Sequence, residues 1–156
     1  MQIHLIAVGT RMPGWVSDGY SDYARRLPHE CTLNLTEIPL AQRSKSQPVS
    51  RAIDDEGKRM QAAIGANQRV IALDVEGREW STEQLAEQLT GWMQDGRGVS
   101  LLVGGPDGLA ENCLQAAGQR WSLSPLTLPH PLVRVILAEQ LYRAWSLNAG
   151  HPYHRA

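Results

Sequence analysis

Short apolar runs alternate along this chain with longer stretches patterned at helical spacing, and that alternation leaves few architectures open. Gln2 to Val8 is rich in aliphatic and β-branched residues and stops at Gly9. Thr32 to Ile38 alternates Leu33, Leu35 and Ile38 with polar partners, as a strand nearer a sheet edge would. Arg69 to Leu73, Val99 to Val103 and a short run around Trp121 to Leu123 read as further strands. Between them the spacing predicts helices. The first opens at Pro13, carries Trp15, Tyr20, Tyr23 and Leu27, and stops at Pro28. The second runs from Pro48 to Ile64, with Gly65 as a left-handed residue beyond its end. Ser81 and Gln84 form a capping box for a third, through about Gln94, and two more cover about Leu109 to Ala117 and Leu132 to Leu147. The basic, polar stretch Ala41 to Gln47 is expected to be a mobile loop. Strands alternating with helices point to an α/β fold, a mainly parallel sheet flanked by helices. Ligands of such sheets bind beyond the carboxyl ends of strands, so the loops after Val8, Leu73, Val103 and Leu123 are the places to look for function.

Composition narrows the class. A chain of 156 residues, 42% hydrophobic and 20% charged, fits one ordinary domain spanning 1–156. No apolar run approaches the ~20 residues that cross a bilayer, and Met1 to Leu5 lacks the basic start of a secretory signal. A cytoplasmic protein without a membrane partner is expected. Cys31 and Cys113 cannot make a disulfide framework and stand in no pattern of metal-ligand spacing, so no metal is expected either. The net charge of −1 argues against coating nucleic acid by charge alone, yet the charges are unevenly placed. Residues 74–111 carry two basic and eight acidic side chains, whereas 112–156 carry four and one, together with His130, His151 and His154. A polyanion, if one binds, should meet this last stretch.

Four motifs carry candidate chemistry. Gly104-Gly105-Pro106-Asp107-Gly108 directly follows a buried strand; it is either a plain turn or a place where backbone approaches a ligand closely. It matches neither the phosphate loop nor the dinucleotide fingerprint. Trp121 to Pro131 holds three prolines within seven residues, so it stays extended. It is either a crossover into the last helix or a loop whose free amides and carbonyls address a planar polar ligand such as adenine between Leu123, Leu126 and Leu128. In the last helix, Arg134 shares a face with Ala138, Leu141 and Trp145 and lies in the first turn, where the helix dipole disfavours a cation. It either snorkels to solvent or requires an anion or a facing subunit. The tail from Asn148 to Arg155 combines donors, a stacking ring and positive charge, a mixture suited to RNA but also to an ordinary frayed end.

Taken together, these motifs resemble the ribosomal large subunit methyltransferase H family, pseudouridine N3-methyltransferases of the SPOUT superfamily. The resemblance spans the chain. It rests on Ile3 to Gly9 with Thr10, Met12, Pro13 and Trp15, on Leu101 to Pro106, on Leu126 to Val135, on Leu141 to Ser146 and on His151 to Arg155. Pro125 and the stretch from Arg43 to Gln47 are positions where family members vary.

The resemblance implies a SPOUT-type α/β knot, with a trefoil knot in the C-terminal half, a homodimer, and S-adenosyl-L-methionine as cofactor. Carried onto matching positions, the cofactor contacts fall on Leu73, Gly104, Leu123, Ser124, Pro125, Leu126, Thr127 and Leu128. The implied substrate is a pseudouridine of 23S rRNA within the assembled ribosome. The imide N3 of that base is a poor nucleophile until it loses its proton, so a base or a stabiliser of the anion is required. Arg134 is the candidate to stabilise the charge or fix a phosphate, with His130, Tyr153 or His154 assisting proton removal and base placement. Two other classes stay open on the residues alone: a ribosome-associated binding module without turnover, and an α/β enzyme acting on a small molecule.

Overall fold

Every apolar run becomes a strand in the computed structural model, which describes residues 1–155. Strands β1 (Gln2–Val8), β2 (Thr32–Ile38), β3 (Arg69–Glu79), β4 (Val99–Val103) and β5 (Gln119–Ser122) form one five-stranded sheet in the order β2-β1-β4-β3-β5. All neighbouring strands are parallel. Helices α1 (Gly14–Ala24), α2 (Val49–Ala63), α3 (Thr82–Asp95), α4 (Glu111–Ala116) and α5 (His130–Ala149) connect and cover them, and a 3-10 turn, Pro152–Arg155, follows.

The two faces of β1 show why the sheet is covered on both sides. Ile3, Leu5 and Ala7 join a core with Tyr20 of α1, Leu89 and Trp92 of α3 and Leu137 and Leu141 of α5. Ile6 and Val8 face the other way, with Met60 of α2 and Ala110 and Cys113 beside α4. Alternate residues of a central strand thus enter two apolar layers, which is what a near-continuous hydrophobic run requires. β2, read as nearer an edge, is an edge strand.

Four expectations need correction. β3 does not end at Leu73: its register on β5 slips so that both Leu73 and Arg78 pair with Trp121, and Asp74–Gly77 arches out between them. The polar arch is held by the Glu76 amide, which donates to Asp74 Oδ1 at 3.1 Å. Gly77 is required there, because a Cβ would sit 2.6 Å from the Arg120 carbonyl carbon. Gly65 is not left-handed; Asn67, with φ 59°, takes that conformation, and the Gly65 amide donates to Gln68 Oε1. α5 begins at His130, since Pro131 suits a first turn that has no use for its missing N–H. The Ala41–Gln47 stretch is tied down at Arg43, whose guanidinium bonds Glu56 and Asp107.

Candidate functional site

The carboxyl ends of β3, β4 and β5 open into a cavity of about 480 Å³, a size that suits a nucleoside-scale ligand. Leu73 and Asp74 come from β3, Val103 and the glycine turn from β4, and Trp121 and Ser122 from β5. The prolyl loop supplies Leu123, Ser124 and Leu126 to Pro129, and the first turn of α5 supplies His130 and Val133. Seven of the eight residues expected to meet a cofactor therefore line one cavity: Leu73, Gly104, Leu123, Ser124, Leu126, Thr127 and Leu128. Pro125 is not among the lining residues and is exposed at the outside of the loop.

Local chemistry explains the wall shapes. Gly108, with φ +84°, closes the glycine turn, and Gly104 approaches it so closely that a Cβ would lie 2.5 Å from its carbonyl carbon. In the prolyl loop Ser122 Oγ donates to the Ser124 carbonyl at 3.1 Å, and the Leu126 amide donates to Ser124 Oγ at 2.9 Å. The loop is thus held from within, and Leu126, 72% exposed, stands at its rim with Val75, 58% exposed, opposite. At the floor the Trp121 indole stacks on Trp80, ring centroids 4.9 Å apart.

His130 is brought to this cavity, and its Nδ1 is buried without a protein partner among the described residues. Burial, and then the nearby Arg134 charge, hold its pKa below the ordinary imidazole value, so the neutral ring with a free lone pair is favoured.

Arg134 is 1% exposed and does not line the cavity. Its Nη1 donates to Glu37 Oε2 at 2.6 Å, and its Nη2 to the Gly9 and Val8 carbonyls at 2.7 and 3.3 Å. The anion that its awkward helical position required is thus supplied within the chain, by the ends of β1 and β2. Gly9, with φ +113°, lies against both Arg134 and His130.

Tyr153 and His154 lie elsewhere. The 3-10 turn packs on the far end of α5, where Tyr153 meets Tyr142 at 4.7 Å and Arg143 lies 4.9 Å over its ring. Arg143 follows His130 by thirteen residues of continuous helix, about 20 Å of rise. One chain therefore does not bring Tyr153 and His154 to the cavity that holds His130. The tail is docked rather than frayed, with Tyr23 contributing a further ring contact at 6.4 Å. Burial first, and then the Tyr23 hydroxyl, push Tyr153 up to about 12, so its phenol is a donor at neutral pH rather than a base.

Asp74 and Val75 line the cavity without having been singled out in the sequence. Asp74 places a carboxylate on the wall, and its signal was its position directly after Leu73 at a strand end. Among the described residues, no group of three or more His, Cys, Asp and Glu is placed to hold a metal ion. Among the described residues no helix is long and apolar enough to cross a membrane.

The fold is shared with solved structures. The chain is similar to a probable methylase family protein from Haemophilus influenzae Rd KW20, with a TM-score of 0.56 and 12% identity over 97% of this chain and 69% of that one. It is similar likewise to TrmJ from Z. mobilis ZM4, with a TM-score of 0.52 and 17% identity over 90% and 69%. At such identities the likeness is one of fold alone, a parallel sheet flanked by helices.

Sequence comparison goes further. The family described as "Predicted SPOUT methyltransferase" matches residues 1–154. A protein of Methylococcus capsulatus named ribosomal RNA large subunit methyltransferase H is 57% identical over 155 residues, 99% of this chain and all of its own. The protein of that name from Alkalilimnicola ehrlichii is 60% identical over the full length of both. The chain belongs to the SPOUT methyltransferase family, within its ribosomal RNA large subunit methyltransferase H group.

Proposed function

We propose that this protein is an S-adenosylmethionine-dependent methyltransferase acting on N3 of a pseudouridine in 23S rRNA of the assembled ribosome, in the cytoplasm and as a homodimer. The observation that carries the reading is the cavity itself: loops from three separate strand ends, read as cofactor contacts, converge on one nucleoside-sized space with His130 at its edge. The residues present fit the cofactor. Leu123, Leu126 and Leu128 offer apolar walls to adenine, the backbone at Gly104 offers close approach, and the Asp74 carboxylate offers an acceptor for a hydroxyl or an ammonium group.

When bound, S-adenosylmethionine supplies an electrophilic methyl group on a sulfonium centre. The chain's part is alignment and proton management. Neutral His130, at the edge of the cavity, is the group placed to take the N3 proton. Arg134, buried and with Nη1 and Nη2 committed to Glu37, Gly9 and Val8, acts on the developing anion through its field rather than by gripping a phosphate. Tyr153 and His154 join the site from the tail of a second copy, because their own tail lies a helix length away. The reading includes the trefoil knot of the C-terminal half.

The test is transfer of labelled methyl to ribosomes from cells lacking this protein, comparing assembled particles, separate large subunits and naked RNA. Label confined to a large-subunit pseudouridine in assembled particles is expected. Cofactor binding with no label in any of the three would reject an enzyme in favour of a binding module.

A further inference from the structure

Three of the five residues from Gly104 to Gly108 are glycines, so this cavity wall has few side chains with which to hold its own shape. Glycine loses more conformational freedom on ordering than any other residue, and a wall left loose passes that cost to the ligand. Internally the turn is tied by the Gly108 amide, which donates to the Gly105 carbonyl at 3.1 Å.

The segment between β2 and α2 holds it from outside. The Leu40 side chain reaches within 3.5 Å of where a Cβ on Gly105 would stand. Arg43 donates from Nε and Nη2 to Asp107 Oδ2 at 3.2 and 2.9 Å. Its Nη1 donates to Glu56 Oε2 at 2.5 Å and to the Ala41 carbonyl at 2.7 Å. Glu56 is 2% exposed, and the same Oε2 also accepts from the Ala41 amide at 3.0 Å. A buried carboxylate thus fixes the guanidinium, and the guanidinium fixes the tip of the turn. Asp107 itself is not among the lining residues, while Pro106 and Gly108 on either side of it are. An exposed ion pair alone would contribute little, but here the arginine is anchored at both ends with four donated bonds.

We infer that Arg43 is a positioning residue for the cofactor: anchored on Glu56, it holds the Gly104–Gly108 turn through Asp107 in the shape the ligand meets. The inference rests on the cavity being the S-adenosylmethionine site, as proposed above.

Four proteins test it: the wild type, D107N, R43Q and the double variant. Asp107 lies at an exposed tip, so D107N keeps the fold while removing the charge. Calorimetric binding of S-adenosylmethionine should weaken roughly five- to tenfold in D107N, and KM for the cofactor should rise equally with kcat nearly unchanged. Hydrogen exchange without ligand should quicken at the amides from Gly104 to Gly108. Asp107→Glu, which restores the carboxylate, should recover both. The double variant should bind no more weakly than R43Q alone, since both changes cut one link. Unchanged binding and exchange in D107N, or losses that simply add, would overturn the inference. A wild type that fails to bind S-adenosylmethionine would overturn the cavity assignment instead, and the ligand-free exchange comparison would still decide whether the clamp exists.

Discussion

Arg134 shows what a single residue discloses and what it withholds. Its place on an apolar helical face, in the turn where the dipole opposes a cation, was legible and demanded a compensating anion. The identity of that anion was not, because Glu37 lies 97 residues away and meets Arg134 only once β1 and β2 are paired. Arg134→Ala should cost about 1–3 kcal/mol by freeing the Val8 and Gly9 carbonyls, while the exposed Glu37 carboxylate stays solvated, read as a fall in thermal stability. Arg134→Met, which refills the buried volume without pairing the carbonyls, should recover part of that stability and still fail to transfer methyl; a fully active Arg134→Met variant would remove Arg134 from the chemistry. His130 makes a second prediction. Its folded pKa lies below the ordinary 6.5, so the unfolded chain takes the proton first. The native state is unpenalised above pH 6.5 and loses stability as pH falls below it towards the depressed value. Thermal melts across that window should show the wild type losing more than His130→Gln, while His4, shifted the same way by burial, cancels between the two. A constant difference would show that His130 is not held neutral.

Elements whose signals are local were readable, and those set by distant pairing were not. The capping box of α3 is present in both halves: the Gln84 amide donates to Ser81 Oγ at 3.1 Å and the Ser81 amide to Gln84 Oε1 at 2.8 Å. Ser81→Ala should lower unfolding free energy by about 1 kcal/mol in denaturant titration, without altering the cavity. β3 is the opposite case. Its arch at Asp74–Gly77 looked like an ending because polar residues interrupt the apolar run, yet the strand resumes on β5, and only the partner's register reveals it. The same holds for the Ala41–Gln47 stretch, whose polarity suggested mobility while Glu56 and Asp107 restrain it from two other elements. The glycine turn and prolyl loop were legible as candidate ligand walls, and they do line the cavity, since their backbone chemistry is written in consecutive residues. Asp74 was not, because its exposure to the cavity follows from the arch.

At the scale of the molecule, apolar runs announced a parallel sheet but not its strand order, since hydrophobicity says that a strand is buried and not what lies beside it. Nor could the sequence show that its two richest functional segments occupy opposite ends of α5. That separation makes a dimer prediction sharp. Mixed dimers should be active when one chain lacks its tail beyond Gly150 and the other carries a cavity-blocking Gly104→Leu, because one complete composite site survives. Each variant alone should be inactive, and mixtures that stay inactive in the methyl-transfer assay would show that every chain uses its own tail.

The stacked indoles at the floor, Trp121 over Trp80, have a spectroscopic consequence. Two aromatic rings held at 4.9 Å and 27° couple their electronic transitions, and Trp121 belongs to the cavity lining. The protein thus contains an optical reporter of its own ligand: near-ultraviolet circular dichroism and tryptophan emission should respond when the cavity fills, with no label attached.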